Sequence, residues 1–255
     1  MNRISVCMIT KNEEKHLARA LQSVAAVADE VIVVDCGSTD RTQEIARENG
    51  AKVFSRAWTN FGDQRNYAAA QTENEWIFAL DADEALSDKL RESLLAWKQR
   101  EPQSPVYEAP RLAHYLGGWI RHSGWYPNYQ SRLYKKSVTQ FEGIVHESLV
   151  FHGPRGRLKG DLLHYTIDTF AEHEQKVEEY STLAAQKMFE QGRRSWRAVL
   201  WFATPWAFFQ SFMLRAGFLD GHRGALIAQM AARSVRLKFR RLGALVAEER
   251  ESRAQ

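Results

Sequence analysis

Residues Trp76 to Ala85 read WIFALDADEA, an apolar run that stops on three carboxylates, Asp81, Asp83 and Glu84. Carboxylates spaced D-x-D in an extended turn both reach one hard divalent cation, which keeps open positions for phosphate oxygens. The plainer alternative is a solvated strand end ahead of a helix, where the helix dipole favours anions. A second stretch, VIVVDCGSTDRT, leaves Asp35 at a strand end. Gly37 there permits a tight turn, and Ser38, Thr39 and Asp40 are all good helix caps. A carboxylate in the position of Asp35 could accept a hydrogen bond from a ring N–H of a nucleobase; an ordinary strand-to-helix turn is the alternative. In GDQRNYA, Arg65 falls on the next helix, and its guanidinium fork matches a pyrophosphate.

These residues need a frame that brings them together. RISVCMIT, EVIVVD, AKVFS and EWIFAL are short apolar runs rich in valine and isoleucine, separated by segments with helical spacing. That alternation predicts an α/β fold, a Rossmann-like, mostly parallel sheet with helices on both faces. Asn49-Gly50 is a helix stop, and Ser87 is placed to cap a helix running to about Arg100, ahead of Pro102. Ligands of such sheets bind beyond the carboxyl ends of the strands. Thr10, Asp35 and the Asp81–Asp83 pair are all strand ends, so all three aim at one crevice.

With 255 residues and 44% hydrophobic content the chain supports one large core plus an appendage. The apolar run near the N-terminus, ISVCMI, is too short for a signal peptide, which predicts a cytoplasmic protein with Cys7 and Cys36 as buried reduced thiols. The net charge of +4 is modest, but from Arg193 onward arginine dominates. The division read from this change is residues 1–190 as the α/β domain that holds the crevice and 191–255 as a basic, aromatic-rich helical amphipathic extension. The block AVLWFATPWAFFQSFML is short for a bilayer span and interrupted by Thr204, Pro205, Gln210 and Ser211. Its aromatics favour the lipid headgroup boundary, and Arg193, Arg194, Arg197 and Arg215 bracket it. A following stretch adds Arg233, Arg236, Lys238, Arg240 and Arg241. The reading is peripheral attachment to the anionic inner face of the cytoplasmic membrane; packing on the α/β domain or a dimer interface is the alternative. An acidic crevice argues against nucleic acid as a partner.

SVCMITKNEE, VIVVDCGSTD and RNYAAAQTENEWIFALDADE, in this order and spacing, resemble the family 2 glycosyltransferases, inverting enzymes of the GT-A fold that use nucleotide-sugars. QSRLYKKSVTQFEGIVHESLV and LLHYTIDT are similar to a narrower branch, the lipopolysaccharide inner-core β-glucosyltransferases that act on heptose. The resemblance implies a UDP-sugar donor, UDP-glucose, a lipid-linked saccharide acceptor and a divalent metal, Mg or Mn. It places Thr10, Asn12, Glu13, Asp35 and Ser38 at the base and ribose, and Asp81 at ribose or phosphate. Asp83 corresponds to the direct metal ligand and His164 to a further one. Glu147, in GIVHESL, stands in the acidic catalytic position, as the base that takes the proton of the attacking hydroxyl. Asp161 and Glu142 are the next candidates for that role. The pattern departs from the family at Lys11, where some members have an aromatic residue, and at Cys36, where some have a second acid.

Two other classes share parts of the pattern. A haloacid-dehalogenase-type phosphohydrolase also carries D-x-D at a strand end, but on its first strand and followed by threonine or valine; here the strand is fourth and Glu84 and Ala85 follow. A non-catalytic nucleotide-sugar binder or scaffold would keep the fold without turnover.

Overall fold

The computed structural model describes residues 1–142 and 148–254. The chain packs as two units, residues 1–112 with 128–165, and residues 113–127 with 166–255. The division expected at residues 190–191 falls inside the second of them.

The first unit opens with four strands alternating with three helices: β1 (Ile4–Thr10), α1 (Leu17–Val24), β2 (Glu30–Asp35), α2 (Thr42–Glu48), β3 (Lys52–Ser55), α3 (Phe61–Ala70) and β4 (Trp76–Ala79). β1 pairs in parallel with β2 and β4, and β2 with β3, so the order 3-2-1-4 is parallel throughout. After β5 (Glu84–Leu86) and α4 (Asp88–Lys98) come β6 (Val106–Tyr115), β7 (Gly118–Ile120) and β8 (Asn128–Lys135). The chain continues through β9 (Thr139–Glu142), β10 (Ser148–Phe151), β11 (Arg155–Arg157) and β12 (Leu162–Ile167). β8 joins β4 antiparallel, and β12 joins β5 antiparallel, so the parallel half is extended by an antiparallel one. The expected α/β architecture with flanking helices and a helical C-terminal part is what the chain forms.

The strands are apolar on both faces because both are covered. On β1, Ile4, Val6 and Met8 pack with Leu17, Leu21 and Val24 of α1 and with Leu90 and Leu94 of α4. Cys7, between them, faces Ala68 and Ala69 of α3. Each fully buried Leu, Ile or Val contributes roughly 1.5–3 kcal/mol, so this double layer fixes where the strand ends lie. Asn49 and Gly50 end α2 as expected, with Gly50 at φ +78°. Ser87 caps α4 by accepting from the Leu90 N–H, and the helix stops at Lys98. Both cysteines are free and buried.

The second unit contains α5 (Phe170–Glu190), α6 (Arg197–Phe209) and α7 (Gly221–Ala254). Phe239, Leu242 and Val246 of α7 pack with Ala185 of α5 and with Val199 and Leu200 of α6. Arg233 and Arg241 of α7 form ion pairs with Glu174 and Glu178 of α5. The sequence read these two arginines as part of a basic stretch open to an anionic surface. Their counter-charges sit on another helix and were invisible in the local run. Among the described residues, no helix is long and apolar enough to cross a membrane.

Candidate functional site

Thr10, Asp35 and Asp81 end β1, β2 and the segment after β4, and adjacent parallel strands bring the first two together. Thr10 Oγ1 donates to Asp35 Oδ2 at 3.2 Å. Asp35 is fully buried and also receives the Gly37 and Ser38 N–H groups, the Ser38 hydroxyl and Gln43 Nε2. Burial alone would raise its carboxyl, but these donors outweigh it and hold the carboxyl below its ordinary range. In the structure Asp35 therefore shapes the turn. The loops after β1 and β2 are laced together: the Asn12 N–H donates to Ser38 Oγ at 2.8 Å and the Thr39 N–H to Asn12 Oδ1 at 2.8 Å. The Glu13 N–H donates to Thr42 Oγ1 at 2.7 Å. Asn12 has φ +56°, a left-handed conformation that asparagine tolerates better than most residues.

Beside these loops lies a cavity of about 300 Å³ lined by Thr10, Lys11, Glu13, Cys36, Trp58 and Phe61. The rings of Trp58 and Phe61 meet edge to face at 4.7 Å, and both side chains are exposed. Sequence reasoning missed this pair. The signal was present in AWTNFGD, two aromatics flanking the start of α3 in an otherwise polar stretch.

The two aspartates of D-x-D have different surroundings. Asp81 is clamped between Arg65 Nη2 at 2.7 Å and Arg132 Nη2 at 2.5 Å. Arg132 also reaches Glu84 Oε1 at 2.6 Å, and Arg111 stands 3.7 Å from the same oxygen. Burial would raise Asp81, but the two guanidinium groups prevail and hold it well below the usual carboxylate range. Glu84, with its side chain fully buried, is pushed up by burial more than Arg132 pulls it down. Arg65, expected as a pyrophosphate clamp, faces Asp81 with a side chain only 10% exposed. Arg132 was not singled out in the sequence, because its partners lie 48 and 51 residues away on other elements.

Asp83 points elsewhere. Its Oδ2 lies 3.0 Å from His164 Nε2, and the two side chains are partly exposed. β12 creates this meeting: His164 pairs with Glu84 across the β5–β12 ladder, and the Tyr165 N–H donates to the Asp83 carbonyl at 2.9 Å. The carboxylate and imidazole, brought together from 81 residues apart, are chemically a fit for a divalent ion. Among the described residues no cluster of three His, Cys, Asp or Glu side chains could hold a metal.

Glu147 and His146 lie outside the described residues. The strands on either side are described: Glu142 of β9 pairs with Ser148 of β10. Asn66 of α3 anchors β9 with both ends of its amide, donating to the Phe141 carbonyl at 2.8 Å and accepting from the Phe141 N–H at 3.0 Å. Asp161 is tied to Ser87, its N–H donating to Ser87 Oγ at 2.9 Å.

Residues 5–172 match the family model described as Glycosyl transferase family 2. The chain belongs to this family. An uncharacterized glycosyltransferase of Rickettsia typhi is 32% identical over 236 residues, covering 88% of this chain and 81% of the relative. The lipopolysaccharide core biosynthesis glycosyltransferase LpsC of Rhizobium meliloti is 26% identical, covering 91% of each chain. Among solved structures, residues 1–349 of S. aureus TarS align with TM-score 0.45 and 16% identity, covering 98% of this chain and 92% of that one. This glycosyltransferase thus carries its family's strand-end motifs on a sheet that places Asp83 and His164 side by side.

Proposed function

We propose that the protein is an inverting hexosyltransferase that moves glucose from UDP-glucose to a heptose of the lipopolysaccharide inner core. The observation that carries this reading is the approach of Asp83 and His164 at 3.0 Å in the same unit as the two laced loops after β1 and β2. Asp83 and His164 would hold Mg or Mn, and the ion would neutralise the departing diphosphate. Trp58 and Phe61 would stack the uracil in the cavity beside Thr10 and Glu13, where some family members use an aromatic residue at the position of Lys11. Asp81, held by Arg65 and Arg132 but 28% exposed, would offer its open edge to ribose. Asn12, Ser38 and Asp35 would keep the loops in shape around the nucleotide.

Glu147 would take the proton of the attacking hydroxyl on the face opposite the diphosphate, giving a β-linked product from an α-linked donor. The LpsC relative supports a lipopolysaccharide acceptor, and such an acceptor is lipid-linked and anionic. The chain would meet it as a peripheral protein on the inner face of the cytoplasmic membrane.

The test is turnover of UDP-sugars with a heptose-containing acceptor, with and without a chelator, with the product's anomeric configuration read by NMR. UDP-glucose should turn over only with metal and give a β-linkage. Glu147→Gln should lose about 10²- to 10⁴-fold in rate while keeping donor affinity. Near wild-type turnover by that variant moves the base to Asp161 or Glu142, and an α-linked product overturns inversion.

A further inference from the structure

The face of α6 turned to solvent is more apolar than an exposed helix face should be. Trp201, Phe202, Trp206, Phe209, Met213 and Leu214 are all exposed, the first two at 80% and 78%. Phe202, Trp206, Phe209 and Met213 recur three or four residues apart along α6 and the π turn of Gln210–Leu214 that extends it, with Trp201 and Leu214 beside them, so they form one broad face. At the start of the same helix Val199 and Leu200 pack against α7. A helix that is apolar all round is ordinarily surrounded by apolar matter. Aromatic side chains present about 150–250 Å² each, so Trp201 and Phe202 alone approach the ~300–600 Å² of the largest patch on a typical monomer.

The face does not end with the helix. Ala216 adopts φ +52° and turns the chain into the 3-10 segment Gly217–Asp220, which presents Phe218 and Leu219, also exposed. Phe212 and Phe218 meet at 6.3 Å, so the segments form one surface. Charge completes the pattern. From Gln191 to Leu219 the sequence has no acid and four arginines. Asp220, which ends the run, is turned inward: it accepts from the Arg121 and His122 N–H groups and lies 3.0 Å from His122 Nδ1, with its side chain 5% exposed. Arg193 and Arg215 are exposed, while Arg194 is paired with Glu249.

We infer that the surface formed by α6, the π turn and the 3-10 segment is a shallow membrane-inserting face, whose occupant is the headgroup and upper acyl region of an anionic bilayer. Tryptophan and phenylalanine are the residues of that boundary, and arginines beside them meet lipid phosphates. The inference deepens the peripheral attachment in the proposed function and rests on that reading for its membrane. It also moves the contact away from the basic stretch of α7, where Arg233 and Arg241 are committed to Glu174 and Glu178. Most of the binding should then come from ring burial, with each exposed arginine adding about fivefold on an anionic surface.

The experiment is partition of the full chain onto vesicles of phosphatidylcholine, alone or with a quarter phosphatidylglycerol, followed by sedimentation and by quenching with brominated lipid. The full chain should bind both, the anionic vesicles more tightly and less so at high salt. Trp201→Ala and Phe202→Ala should each weaken binding about tenfold or more, and both should keep the wild-type melting temperature because the side chains are exposed. Arg193→Gln with Arg215→Gln should remove the anionic preference, and Arg236→Gln with Arg240→Gln should leave it intact. Binding unaffected by the aromatic substitutions overturns the inference. So does a concentration-dependent dimer abolished by those substitutions, in a chain that ignores vesicles. Turnover of a soluble, delipidated acceptor separates the two readings: vesicle binding without turnover sinks only the enzyme reading, and turnover without vesicle binding sinks only the membrane face.

Discussion

Asp81 lies between Arg65 and Arg132, while Asp83, two residues on, stands beside the His164 imidazole, so the two carboxylates of one D-x-D have different partners. Two guanidinium groups already neutralise Asp81, and a cation brought to it would meet their repulsion. Asp83 is under no such restriction. In calorimetric titrations of UDP with Mn or Mg present, Asp83→Ala should weaken metal-dependent binding by at least about 100-fold, beyond the ~10–100-fold usual for losing an outer-shell partner of a metal. His164→Ala should cost less, because a neutral imidazole brings no charge to the ion. UDP affinity unchanged in Asp83→Ala with metal present would remove this residue from the metal site.

At the level of elements, the parallel half of the sheet was legible because its signals are local. Each strand is a short apolar run, each turn carries its own glycine or cap, and the carboxyl-end rule then places Thr10, Asp35 and Asp81. The antiparallel half gave no comparable signal. The sequence around His164 was singled out for its histidine and not as a strand, and β5, the partner of β12, has three residues. Arg132 was passed over for the same reason, since nothing near it in the sequence announces Asp81 or Glu84. The register that pairs His164 with Glu84, and so carries its ring to Asp83, follows the loop before β12, where Gly160 has φ +95° and a methyl group there would lie 2.3 Å from the Leu90 nitrogen. That neighbour is helix backbone and cannot yield as a side chain could. Gly160→Ala should therefore destabilise the protein by about 2 kcal/mol or more through strain and overpacking, and it should weaken metal-dependent UDP binding by displacing β12. Urea unfolding measures the first effect; a loss under about 0.5 kcal/mol, the size of an ordinary surface change, would mean that the loop relaxes freely.

The whole molecule joins two units whose residues interleave, with 113–127 packing alongside 166–255. A change of composition near residue 191 marks where arginine begins to dominate, but it carries no trace of the segment 113–127 that joins the same unit from earlier in the chain. Each unit holds a buried ionisable group, and these groups respond differently to acid. In the second unit His173 is buried, 2.9 Å from the Tyr115 hydroxyl through Nδ1. Burial and then the Lys176 charge lower its affinity for a proton below the ordinary 6.5, with Glu172 and Glu174 opposing them. The unfolded chain binds that proton at the ordinary value, so between the two values it holds more protons than the folded one. His173 thus contributes stability above about pH 6.5, and the contribution disappears as pH falls toward the lower folded value. Asp81 acts in the same direction only at much lower pH, beneath the ordinary carboxylate range. Glu84, pushed up by burial, acts oppositely, losing its contribution as pH rises. A direct comparison across one pH interval would mix these terms, whereas a difference between variants isolates one of them. Relative to His173→Gln, the wild-type chain should lose unfolding free energy as the pH is lowered from about 7.5 to about 5.5, the interval in which an unfolded histidine takes up its proton. Urea midpoints and slopes at both pH values give the comparison; parallel behaviour of the two proteins would show that His173 takes up its proton equally well in the folded state.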